Sequence, residues 1–90
     1  MLEVTTKTLV YLASALEQRQ APDKISMRLS RHKSGLQIAP DQERLGDQGF
    51  DLDDRTILLV SKSLADELDG RKLCVDTSAS GHVEVRLGHS

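Results

Sequence analysis

Ninety residues with a formal net charge of −2, 38% of them apolar and 29% charged, suit one domain with a small core, since a chain of this length buries roughly two thirds of its unfolded surface. No stretch approaches the roughly 20 apolar residues of a membrane span. The aromatics are Tyr11 and Phe50 alone, so the basic surface and stacking platforms of a nucleic-acid binder are missing too. A single domain over residues 1–90, with neither membrane nor nucleic acid as partner, is the expectation.

The first residues, Met1-Leu2-Glu3-Val4-Thr5, lack the basic region and apolar run of a secretory signal, and the single Cys74 cannot close an intramolecular disulfide. Both point to a reducing cytoplasm.

Leu2 and Val4 alternate with polar residues as a short strand, and the Thr5 and Thr6 hydroxyls can accept hydrogen bonds from the first free amides of a helix. Leu9, Leu12, Ala13 and Leu16 then fall on one stripe, which predicts an amphipathic helix over 6–20 that Pro22 brings to an end. From Lys24 the period changes to two. Ile25, Met27 and Leu29 oppose Ser26, Arg28 and Ser30, the pattern of a half-buried strand. A second strand covers 36–39 and is stopped by Pro40, and the segment from Asp41 to Gln48 reads as an exposed loop with solvated acidic residues.

Phe50 and Leu52 alternate with Asp51 and Asp53, and Thr56-Ile57-Leu58-Leu59-Val60 runs without a polar break, as a central strand covered on both faces would. Ser63-Leu64-Ala65-Asp66 resembles a capping box, with Gly70 placed for a left-handed stop, so a short helix is predicted over 62–69. Leu73 and Val75, the turn residues Ser78-Ala79-Ser80-Gly81, and then Val83, Val85 and Leu87 describe a closing hairpin. The sum is an α+β fold of mostly antiparallel strands with two helices packed over them.

Chemistry-bearing residues are sparse. Cys74, His32, His82 and His89 are the best metal ligands present, but none lies in the closely spaced pairs of a structural zinc site, so they form a site only if they converge in space. Cys74 reads as a packed strand thiol, since activation needs a base, a cation or a helix N-terminus and only Lys72 is near in sequence. The run Arg28-Leu29-Ser30-Arg31-His32-Lys33 could dock an anion or an acidic partner, although strand alternation divides it between two faces and favours a solvated edge. Asp51-Leu52-Asp53-Asp54 lacks the spacing of a calcium loop. No phosphate-binding glycine loop and no paired catalytic groups stand out, and the chain is not expected to be an enzyme.

The order of elements, together with Leu2-Glu3-Val4-Thr5, Ile25-Ser26-Met27-Arg28-Leu29, Lys33-Ser34-Gly35-Leu36, Ile57-Leu58-Leu59-Val60-Ser61-Lys62-Ser63-Leu64, Leu68-Asp69-Gly70 and Leu73-Cys74-Val75-Asp76, resembles the HesB/IscA family of A-type iron-sulfur carriers over nearly the whole chain. Members carry one cysteine immediately before a Ser-Gly pair and two more, separated by one glycine, just beyond the last strand. Here Lys33 precedes Ser34 and Gly35, the last residues are Gly88-His89-Ser90, and Cys74 matches none of the three positions. A lysine cation at the first position disfavours metal on electrostatic as well as ligand grounds.

The pattern is similar to short HesB-like proteins of bacteria in which the fold persists without the ligands. The resemblance implies an accessory or protein-binding role near iron-sulfur assembly components, no cofactor of its own, and a homo-oligomer. The alternative is a metal carrier using His32, Cys74, His82 and His89.

Overall fold

Leu9, Leu12 and Leu16 line the buried side of α1 (Thr6–Gln18) in a computed structural model that describes residues 2–33, 35–77 and 83–89. Thr5 caps this helix, its Oγ1 accepting the Thr8 N–H at 3.2 Å. The helix stops at Gln18, before the expected Gln20, and the reason is local. Gln20 takes φ 54°, its N–H donates to Glu17 O at 2.9 Å, and the Ala21 N–H donates to Leu16 O at 3.0 Å. These two bonds are a Schellman stop, which satisfies the last carbonyls before Pro22 is reached.

The strands are β1 (Glu3–Val4), β2 (Ile25–His32), β3 (Gly35–Gln42), β4 (Gln48–Leu52), β5 (Arg55–Val60), β6 (Arg71–Thr77) and β7 (Val83–His89), with α2 (Lys62–Glu67) between β5 and β6. They form a three-stranded sheet, β1-β6-β7, and a four-stranded sheet, β3-β2-β5-β4. The β1/β6 and β2/β5 pairs are parallel and the other pairs antiparallel, which is the α+β class expected. Helix α1 touches β6 of one sheet and β2, β4 and β5 of the other, so the core sits between helix and sheets. Leu2, Leu12, Leu16, Leu29, Leu58 and Leu73 are all buried there, and each such side chain contributes about 1.5–3 kcal/mol by leaving water.

Strand β5 is interior to its sheet, and Ile57, Leu58, Leu59 and Val60 are all buried, as its unbroken apolar run predicts. Two other expectations fail. Strand β3 continues through Pro40 to Gln42, pairing Pro40 with Met27; it lies at the edge of its sheet, where a residue without an N–H is tolerated. Strand β2 is not half-exposed either. Ser26 on its second face is buried, its Oγ donating to Thr56 O at 2.7 Å, and the Arg28 side chain is only 11% exposed. That face is covered because the chain between β3 and β4, at opposite edges of the sheet, must pass over β2 and β5.

The second helix is capped by Ser61, whose Oγ accepts the Leu64 N–H at 3.4 Å, and not by Ser63; Gly70 follows with φ 79°. The β6/β7 hairpin pairs Thr77 with Val83, and its expected turn at 78–81 lies outside the described residues.

Candidate functional site

The turn between β2 and β3 carries the position that the sequence singles out. Pairing of His32 with Gly35 closes it, and both His32 and Lys33 are exposed. Gly35 has φ 122° with open space around its missing Cβ, so the backbone conformation, not crowding, calls for glycine here. Ser34 lies outside the described residues.

The other candidate ligands lie elsewhere. Cys74 is half-buried on β6, opposite Arg86 of β7, while its neighbours Leu73 and Val75 are buried in the core. His32 belongs to the other sheet. His89 pairs in register with Arg71, three residues and therefore about 10 Å along β6 from Cys74; its side chain, and all of His82, lie outside what is described. Among the described residues no three His, Cys, Asp or Glu side chains come together to hold a metal ion.

The basic run is reorganised by the loop that follows β3. Arg28 rises from β2 and donates from Nε to Asp41 Oδ2 at 2.7 Å, from Nη1 to Asp47 Oδ1 at 3.0 Å, and from Nη2 to Asp47 Oδ2 and to Gln42 O. Asp47 is 4% exposed and Asp41 30%. The hydrogen bond from Arg28 holds the Asp47 carboxyl below its ordinary value of 3.8, and the Gln42 N–H, then Arg28, do the same for Asp41. Arg28 is raised in turn, its bond to Asp47 outweighing the cost of burial. Asp41 and Asp47, expected to be solvated, are thus structural counterions, whereas Glu43 is exposed as expected. A bidentate guanidinium pair of this kind is both strong and geometrically specific.

Asp47 also accepts the Arg44 N–H through Oδ2 at 2.7 Å, and a backbone bond from Asp47 N to Arg44 O at 3.1 Å closes a β-turn. Gly46, at φ 89°, occupies the third position, where a type II turn needs the left-handed region. Leu45 beside it is fully exposed.

Two of the clefts among the described residues carry charged side chains beside β2 and β5. The larger, about 620 Å³, is lined by Asp23, Lys24, Glu43, Asp54 and Arg55. Arg55 Nη2 donates to Pro22 O at 3.2 Å and Ile25 O at 3.3 Å, and its buried Nε has no partner among the described residues. The smaller, about 370 Å³, lies at the ends of β2 and β5 and is lined by Arg28, Arg31, Arg44, Ser61, Ser63 and Glu67 among others. Sequence reasoning missed Asp41, Asp47, Arg44 and Arg55 as structural or cleft residues. Gly46, a turn residue between Asp41 and Asp47, is the local signal in the sequence that this segment folds back.

No family model matches the chain, and no curated protein matches it. Among solved structures, a crystal structure of IscA with a 2Fe-2S cluster is similar over 99% of this chain and 85% of that one, with a TM-score of 0.59 and 11% sequence identity. The chain therefore has an IscA-like α+β fold.

Proposed function

We propose that this IscA-like domain serves iron-sulfur cluster assembly as an accessory protein that acts through protein contacts and holds no cluster itself. The fold it shares with IscA supports the link to assembly. The observation that carries the rest is Lys33, an exposed residue in the β2–β3 turn, standing where the resemblance places the first cysteine. An ammonium cation cannot ligate a metal and repels one, whereas iron and its clusters take thiolate. In this reading the domain works in a reducing cytoplasm, associates with assembly components or with its own copies, and catalyses no reaction.

Anaerobic reconstitution with ferrous iron and sulfide, followed by desalting, an absorbance spectrum and iron analysis, tests it. A colourless, iron-free protein is expected. A stoichiometric chromophore with retained iron overturns the reading and turns the search to His32, Cys74, His82 and His89, with His89→Ala and Cys74→Ser as the first variants.

A further inference from the structure

We propose that the groove at the ends of β2 and β5 is a binding site for a small phosphate monoester, held by Arg31 and Arg44 with hydroxyls from Ser61 and Ser63. The inference is independent of the iron-sulfur reading.

The parallel pair β2/β5 is in register at Leu29 and Val60, where β5 ends, so Ser30 and Arg31 carry β2 on past Ser61 and border the groove left beyond β5. Arg44 reaches the same groove from the crossing loop. Its position is fixed from below: the Arg44 N–H is held by Asp47, and Asp47 and Asp41 are both held by Arg28. The buried ion cluster therefore fixes the Arg44 backbone beside the groove that Arg31 also lines. Preorganisation of this kind lowers the entropic cost of binding.

Both arginines have donors to spare. Arg31 Nη1 meets Glu67 Oε1 at 2.8 Å with both side chains about half exposed, and Arg44 Nη2 meets Asp41 Oδ2 at 3.3 Å with Arg44 71% exposed. Each contact engages one of five guanidinium donors. Exposed pairs of this type contribute little, so a dianion can displace or share them at small cost. Arg28, Arg31 and Arg44 are matched by three carboxylates, Asp41, Asp47 and Glu67, so an anion enters the groove by taking over the exposed contacts of Arg31 and Arg44 and not by filling a bare positive patch.

The Ser61 oxygen accepts the Leu64 N–H, which leaves its hydroxyl proton to donate, and Ser63 is exposed beside it. Two planar forks and two hydroxyls suit a group with three acceptor oxygens better than a flat carboxylate. The volume, about 370 Å³, leaves space for the organic part of an ester. The six-residue α2 contributes its side chains only.

Amide NMR titration of the whole chain with inorganic phosphate and with glycerol phosphate, at constant ionic strength and with chloride as control, tests the proposal. Saturable shifts centred on Ser30, Arg31, Arg44, Ser61 and Ser63 are expected, with the ester binding at least as tightly as the inorganic ion. Arg31→Gln and Arg44→Gln should each weaken binding about tenfold, while Arg19→Gln changes nothing. Both arginines are exposed, and circular dichroism verifies that the variants fold. Linear shifts without saturation, shifts centred on the Arg55 cleft, or unchanged affinity in an Arg31→Gln, Arg44→Gln double variant would overturn it.

Discussion

Arg28 and Asp47, nineteen residues apart, form a two-point ion pair in which Asp47 is 4% and Arg28 11% exposed. The pair pins the loop that crosses the four-stranded sheet. Without Asp47 the buried Arg28 keeps only Asp41 and the Gln42 carbonyl, and the loop loses the acceptor of the Arg44 N–H. Asp47→Ala should therefore destabilise the fold by about 2 kcal/mol in chemical denaturation, whereas Glu43→Ala in the same loop should change stability by less than about 0.5 kcal/mol. Equal effects from the two would mean that the ion pair is ornamental.

The same cluster sets an acid response. The Asp47 and Asp41 carboxyls are both lower in the fold than their ordinary 3.8. A depressed carboxyl stabilises the native state fully above its unfolded value and loses that contribution as pH falls through its folded value. Stability should decline from about pH 5 downward, and the decline should be shallower in Asp47→Asn, which has no charge to lose. Parallel stability-versus-pH curves for the two proteins would remove Asp47 from the account.

What the sequence could reveal followed from how local each determinant is. Helix α1 and strand β5 were legible because their burial is written in consecutive residues: a stripe at Leu9, Leu12 and Leu16, and an unbroken run from Ile57 to Val60. Pro40 misled because whether proline ends a strand depends on whether that strand is an edge, and edge status is a property of the sheet order. The 41–47 loop misled for a similar reason. Alternation places Arg28 on the second face of β2, but Asp41 comes beside it only because β3 runs on past Pro40, and Asp47 only through the β3-to-β4 crossing. The candidate groove combines residues 28–31, 44 and 61–67, and no spacing rule joins three such segments.

Thr8 links the first helix to the three-stranded sheet. Strand β1 pairs only Glu3 and Val4, against Lys72 and Leu73, and beyond it the buried Thr8 Oγ1 accepts the Val75 N–H at 3.3 Å while lying 2.6 Å from Thr5 Oγ1. A side chain thus takes over from a strand that has run out. Thr8→Val keeps the shape and removes the acceptor, leaving a buried amide unpaired. A loss of about 1–2 kcal/mol, with faster hydrogen exchange at the Val75 amide, is expected; unchanged protection at Val75 would show that the hydroxyl is not its partner.

Asp53 and Asp54 join β4 to β5 in a two-residue turn with φ 51° and 66°, both in the left-handed region that a type I′ hairpin requires. Aspartate tolerates this region as asparagine does, but the second position favours glycine, and two adjacent carboxylates add repulsion. The turn is held in register from below by Thr56, whose Oγ1 donates to Asp51 Oδ1 at 2.8 Å, so the backbone does not need these two side chains to define it. Replacing them with Asn-Gly should raise stability by about 1 kcal/mol and shift the denaturation midpoint upward with its slope unchanged. A drop in stability would mean that one of the two carboxylates makes an interaction worth more than the strain it imposes, and Asp54, which lines the larger cleft beside Arg55, is the one to restore first.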